Sequence, residues 1–268
     1  MGSIMDNKRQ YYIDRQHYID IAKDTYNNYL SELTPATEYY PPSYVFPLAD
    51  RSQNESPEQI VVDQTANQVL ESLKEEDGKT ALLNFASATS VGGGWLSGAR
   101  AQEETLCRSS NLWLSLYSCP EFYRAGKDSV KYRKTRPKDP IDLYTDAIIY
   151  TKNVEFCKDD LGKYLKDPVK VDVITCACPK INDNFCSDYP YSVYYNRMRK
   201  IIQSAEMHGV KTLILGAWGC GAFGNDPVFI KKVINEALKG STIKKVIHPI
   251  PSAMNNNSNY NYEAFLKN

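Results

Sequence analysis

Two apolar runs in this chain each lead into a glycine-rich segment. Thr80 to Ser87 precedes Gly92, Gly93 and Gly94, and Thr212 to Leu215 precedes the stretch from Gly216 to Gly224. Short apolar runs bounded by turn residues read as buried strands. Ordered glycines cost backbone entropy, so they persist where something approaches the main chain closely or where φ is positive. Two such loops after two strands suit an extended ligand held at the carboxyl edge of an α/β sheet.

The rest of the chain supports that architecture. Asp14 to Leu33 carries Tyr18, Ile21, Ala22, Tyr29, Leu30 and Leu33 at helical spacing, and Thr34 to Pro57 follows as a proline-rich, irregular connection. Ile60 to Val62 reads as a strand, with Asp63 as N-cap of a helix to about Glu75 that stops at Asp77-Gly78. Gln102 to about Ser118 reads as one helix, and Arg124 to Lys138 as a positively charged loop. Strands are expected over Ala147 to Thr151, Val171 to Cys176 and Ile243 to Ile247, and helices over Tyr194 to Met207 and Val228 to Leu238. The polar tract from Asn255 to Asn259 reads as a loop. Strands alternating with helices predict an α/β/α sandwich with a mixed, largely parallel central sheet and an N-terminal helical extension. No repeat or linker is evident. One domain over 1–268 is expected, with the extension and connection to 57 and the core from about 58 to 250.

Composition narrows the function classes. Formal net charge is zero, so no global field steers the chain to nucleic acid or a membrane. No apolar run nears the roughly 20 residues of a membrane span, and Met1 to Gln10 lacks the apolar core of a signal peptide. Seven cysteines, without Cys-x-x-Cys spacing, fit reduced thiols in a cytoplasmic or nuclear setting. Cys176 and Cys178 share a strand face, yet no second cysteine pair or nearby histidine completes a zinc site. His17, His208 and His248 lie on separate expected elements and carry no assigned role.

The first glycine loop runs through Trp95-Leu96-Ser97-Gly98-Ala99-Arg100-Ala101 into Gln102-Glu103-Glu104. Bare amides suit phosphate and sugar oxygens, and a carboxylate suits proton transfer at a sugar centre. Taken alone, two acids at a helix start also fit simple complementarity to the macrodipole. The second loop, Gly219-Cys220-Gly221-Ala222-Phe223-Gly224-Asn225, contains Gly-x-Gly-x-x-Gly between an expected strand and helix, with Pro227 at the helix start. Free N–H groups and a helix N-terminus favour a diphosphate there. A Rossmann oxidoreductase competes for this motif. Little chain remains after it, however, and the next strand ends in His248-Pro249 without an acid for a ribose.

Leu83-Asn84-Phe85-Ala86-Ser87, Gly92 to Gly94 and Gln102-Glu103-Glu104, with the phrase from Gly216 to Pro227, resemble the microbial branch of the poly(ADP-ribose) glycohydrolases over about residues 10 to 250. One departure is Val91, where the family often has proline. The resemblance implies a macrodomain core and hydrolysis of ribose–ribose O-glycosidic bonds. Its substrate would be poly(ADP-ribose) or ADP-ribosylated macromolecules, its product ADP-ribose, with no metal or cofactor. It places the catalytic role on Glu104 and sets Phe223 against the terminal ribose. Gly92, Gly93, Gly94, Gln102, Gly219, Cys220, Gly221, Ala222, Phe223, Gly224 and Asn225 become candidate substrate-binding residues.

From the residues themselves, Glu103 and Glu104 point about 100° apart on a helix and do not readily flank a bond from opposite sides. One would serve as acid and then base while the other orients substrate, and the acid needs a raised pKa. Two rivals share the pocket: a hydrolase for another ADP-ribose linkage, and a reader that binds without cutting. The charge of Arg124 to Lys138 suits either a solvated loop or a contact zone for polymer diphosphates. Tyr189, Tyr191, Tyr194 and Tyr195 suit either base stacking or packing.

Overall fold

The computed structural model describes residues 4–28, 35–48, 56–74, 77–136, 141–182, 190–252 and 256–267. The elements run α1 (Ile4–Asn28), β1 (Thr37–Tyr40), β2 (Glu58–Val62), α2 (Ala66–Glu71), β3 (Thr80–Phe85), α3 (Gln102–Ser109), α4 (Leu112–Tyr117), α5 (Pro120–Lys134), β4 (Ile141–Asp142), β5 (Ile148–Lys158), β6 (Tyr164–Cys176), β7 (Lys180–Ile181), α6 (Tyr191–Met207), β8 (Thr212–Ile214), α7 (Pro227–Leu238), β9 (Lys245–Pro249) and α8 (Asn256–Leu266). Seven strands form one sheet in the order β1-β5-β6-β3-β8-β9-β2, and β4 pairs with β7 separately. The five strands β6, β3, β8, β9 and β2 are mutually parallel, while β5 runs antiparallel to β6 and β1 antiparallel to β5.

Side chains alternate across a strand, and here both faces are buried. Ala81, Leu83, Ile174, Leu213 and Val246 enter a core shared with α6, α7 and α8. Leu82, Val173, Ile214 and Ile247 enter a second core with α2, α3, α4, α5 and Ala22 of α1. The result is the expected three-layer α/β/α sandwich with a mixed, largely parallel sheet.

Several elements differ from the sequence reading. The segment from Arg124 is helical: α5 has Pro120 in its first turn, Phe122, Tyr123 and Gly126 on its buried face, and extends to Lys134, while Lys138 lies outside the described residues. The expected single helix from Gln102 breaks at Ser110-Asn111. There the Asn111 N–H donates to Glu155 O and its Oδ1 accepts from Glu155 N, and Ser110 bridges to Phe156, so β5 captures that backbone. Thr65, not Asp63, caps α2, in a capping box with Gln68. Asp63 instead accepts from Ser252 N at 2.7 Å and Ser252 Oγ at 2.6 Å.

The connection from Thr34 contains edge strand β1, with Tyr40 buried. Strands β5 and β6 extend well beyond their apolar halves as an irregular antiparallel pair, and β4 and β7 were not foreseen. The polar tract from Asn256 opens α8, held by buried Ala264 and Phe265, and Asn255 lies outside the described residues. So do Tyr29, Leu30, Leu33, Glu75, Cys186 and Tyr189. Among the described residues, no helix is long and apolar enough to cross a membrane.

Candidate active site

Strands β3 and β8 are parallel neighbours, so both glycine loops leave the same sheet edge. They also meet. A Cβ on Gly216 would lie 2.9 Å from the ring tip of Phe85, the last residue of β3. Gln102 opens α3 and bonds that strand through both amide atoms: Oε1 accepts from Phe85 N at 2.8 Å, and Nε2 donates to Leu83 O at 2.8 Å. It anchors the helix start beside the site, with one amide N–H not used by these two bonds.

That anchor sets the next two side chains. Glu103 is 2% exposed; its Oε1 accepts from Asn84 Nδ2 at 3.2 Å and its Oε2 from Ser87 N at 2.7 Å. Both oxygens are occupied. Glu104 is held through Oε1 alone, by Gly94 N at 3.0 Å, and its Oε2 is buried without a hydrogen-bond partner. Burial pushes the Glu103 carboxyl up to about 8; the nearby Glu104 charge adds to this, and the Ser87 and Asn84 donors oppose it. For this group, desolvation therefore outweighs the helix N-terminus. Asn84 Oδ1 is also buried and unpartnered, so turning the amide over would offer an acceptor to a protonated Glu103.

The two carboxylates converge beneath Gly93. A Cβ there would lie 2.2 Å from Glu104 Oε1 and 3.2 Å from Glu103 Oε2, and φ is +60°. The missing side chain at Gly93 thus makes room for the acids rather than for a ligand. Gly92 packs on Trp95 and Cys107, away from the acids. The rest of the loop is tied down by Arg108, whose Nη1 donates to Ala99 O at 2.5 Å with its guanidinium 4.8 Å from the Tyr18 ring centre, and by Arg15 of α1, donating to Ser97 O at 2.8 Å.

The second loop divides into scaffold and open surface. Asn225 is 3% exposed, donates to Pro179 O and Gly219 O, and accepts from the Tyr194 hydroxyl at 2.7 Å. Tyr194 is fully buried against Phe229, and Tyr191 stacks on Tyr195. Tyr194 braces the loop through Asn225. Cys220 is buried, and a Cβ on Gly219 would strike Cys178 Sγ at 2.3 Å. Gly221, Ala222 and Gly224 are exposed, and a Cβ on Gly221 would meet nothing within 4 Å. Among the described residues, the N–H groups of Gly221, Ala222 and Phe223 have no acceptor. Asp226 then caps α7 by accepting from Val228 N at 3.1 Å. Open amides before a helix N-terminus make an anion cradle. Phe223 is half-buried beside Tyr144, with ring centres 5.9 Å apart.

Asn84, Ser87 and Tyr144 were not assigned by the sequence reading. The first two lie within the quoted stretch before the glycines; Tyr144 left no sequence signal, but its φ of +54° is unusual for a side chain of its size. Among the described residues, Cys176 and Cys178 gain no further donor, and no group of three or more His, Cys, Asp or Glu side chains could hold a metal.

The sequence profile for the microbial-type PARG catalytic domain matches residues 4–159, which include the first glycine loop and both acids. The chain belongs to the microbial-type PARG family. No curated protein matches it in a sequence comparison. Among solved structures, it is similar to the poly(ADP-ribose) glycohydrolase (PARG) of Thermomonospora curvata, at 28% identity over 95% of this chain and 98% of that one, with a TM-score of 0.76. The same enzyme bound to the inhibitor ADP-HPD gives 29% identity over 95% and 98%, with a TM-score of 0.74. The Deinococcus radiodurans PARG in complex with ADP-ribose gives 27% identity over 86% and 92%, with a TM-score of 0.70. Membership of the PARG family sets aside the Rossmann oxidoreductase and makes the chain a glycohydrolase.

Proposed function

We propose that this PARG family member hydrolyses the ribose–ribose O-glycosidic bonds of poly(ADP-ribose) and releases ADP-ribose, with Glu104 as the acid–base residue. The observation that carries the assignment is the unequal occupancy of the two carboxylates. Glu103 has both oxygens engaged and is fixed. Glu104 has one buried oxygen with no partner. Such an acceptor costs about 1–3 kcal/mol unless a donor satisfies it, and a substrate hydroxyl or the attacking water can donate to it.

In this reading Glu104 protonates the leaving ribose oxygen and then removes a proton from water. The raised carboxyl belongs to Glu103, at about 8; it keeps its own proton near neutral pH, so the pair carries a single negative charge once Glu104 has given its proton to the leaving oxygen. The amides of Gly221, Ala222 and Phe223 receive the diphosphate, and Phe223 with Tyr144 walls the ribose. The free thiols support work in the cytoplasm or nucleus.

Incubating the purified protein with poly- and mono-ADP-ribosylated acceptors, with products separated by chromatography, tests the reading. Free ADP-ribose released from polymer is expected. Intact polymer with cleaved mono-ADP-ribosylated acceptors would transfer the activity to another linkage.

A further inference from the structure

Helix α5 carries more positive charge than its fold requires. At about 100° per residue, Arg124, Lys127, Lys131 and Lys134 fall within an arc of about 80°. All four are exposed, Lys131 to 78% of its side chain. Glu121 and Asp128 adjoin the stripe about 40–60° beyond Arg124, and Asp128 pairs with Lys131 at 3.2 Å. Arg133 is not part of the stripe; it turns inward to pair with Asp142. Complementarity to the helix C-terminus accounts for Lys131 and Lys134 but not for Arg124 and Lys127. Like charges three and four residues apart repel, a cost that the Asp128–Lys131 pair partly offsets.

The helix also packs beside the first loop of the candidate site and connects to the second through Tyr144 and the β4–β7 pair. Gly126 lies flat on the segment after Ser87, where a Cβ would come within 2.0 Å of Ala88 O. Tyr123, on the edge of α5 next to the stripe, is buried beside Gly92 and feels the Glu103 charge. Further along, Ser129 Oγ donates to Tyr144 O at 3.1 Å. Asp142, the partner of Arg133, lies in β4, which pairs with β7, and Ile181 of β7 donates to Phe223 O at 2.9 Å. At 1.5 Å per residue α5 is about 22 Å long, longer than a single bound nucleotide needs.

We infer that Arg124, Lys127, Lys131 and Lys134 form a track for the diphosphates of ADP-ribose units outside the active site. The inference rests on the polymer substrate proposed above. It commits to a flexible, repeating diphosphate polymer because the stripe is straight, exposed and cationic on a helix that packs against the segment before the first glycine loop, while the chain as a whole has zero net charge.

The test is binding, in a Glu104→Gln background so that the polymer survives. Fluorescent long-chain poly(ADP-ribose), free ADP-ribose and single-stranded DNA of matched length are titrated across a salt series. The same titrations follow for the variant that also carries Arg124→Ala, Lys127→Ala, Lys131→Ala and Lys134→Ala. Removing the stripe is expected to weaken long-polymer binding roughly tenfold or more at low salt. The log–log salt slope should become shallower by about 3, from about 0.7 per phosphate contact on a flexible single strand. Free ADP-ribose affinity should stay within about twofold. Unchanged polymer affinity and slope would overturn the track, as would an equal loss for free ADP-ribose. DNA binding as tight as polymer would overturn it in favour of a nucleic-acid surface. Wild-type hydrolysis is scored separately, so a failure of the proposed activity is told apart from a failure of the track.

Discussion

Glu103 and Glu104 are chain neighbours of one residue type, and their partners give them different chemistry. The Ser87 N–H and Asn84 amide fix Glu103, while Gly94 leaves half of Glu104 unengaged. The raised Glu103 pKa has a signed consequence. Between the ordinary 4.5 and about 8, the unfolded chain releases this proton and the folded chain keeps it. The folded state then binds more protons, so this group's contribution to stability falls as pH rises through that window. Urea unfolding of wild type and Glu103→Gln should show it: the stability of wild type relative to the variant declines from the acidic to the alkaline side. Parallel pH profiles would mean that Glu103 is ionised in the folded protein.

The two glycine loops separate building a site from lining one. Gly93 has positive φ and two carboxylates where a Cβ would go; Gly221 has no positive φ and open space. Gly93→Ala should therefore displace Glu104 and lower kcat. Gly221→Val should leave thermal unfolding unchanged and weaken ADP-ribose binding, because its branched side chain would project into open space at the proposed diphosphate site. Calorimetry showing undiminished affinity for Gly221→Val would remove this loop from the ligand site. Equal loss of folding stability in both variants would erase the distinction.

Across the whole molecule, the sequence made legible what local chemistry dictates. The buried strands β3 and β8 and both loops follow from apolar runs and glycines, and the acid pair from its place after them. Features fixed by tertiary contacts were hidden. The cations of α5 outweighed Phe122, Tyr123 and Gly126, a buried face too sparse to show helical periodicity. The break at Ser110-Asn111 depends on β5, nearly fifty residues on. Edge strand β1 hides among prolines because one antiparallel partner, not composition, forms it. Within the site, the Asn225 amide is fully engaged by Pro179 O, Gly219 O and the Tyr194 hydroxyl, and Gln102 bonds the backbone of β3 through both amide atoms. Sequence identifies a polar residue near a loop; only packing shows whether its polar atoms remain available.

The central claim is that Glu104 transfers the proton that breaks the glycosidic bond. Glu104→Gln keeps the shape of the side chain and its acceptor for Gly94 N–H but removes the acid and the base. Measured together by calorimetry with ADP-ribose and by release of ADP-ribose from polymer, the variant is predicted to bind like wild type and to turn over roughly 10²–10⁴-fold more slowly. Turnover within about tenfold of wild type, with binding intact, would contradict the assignment.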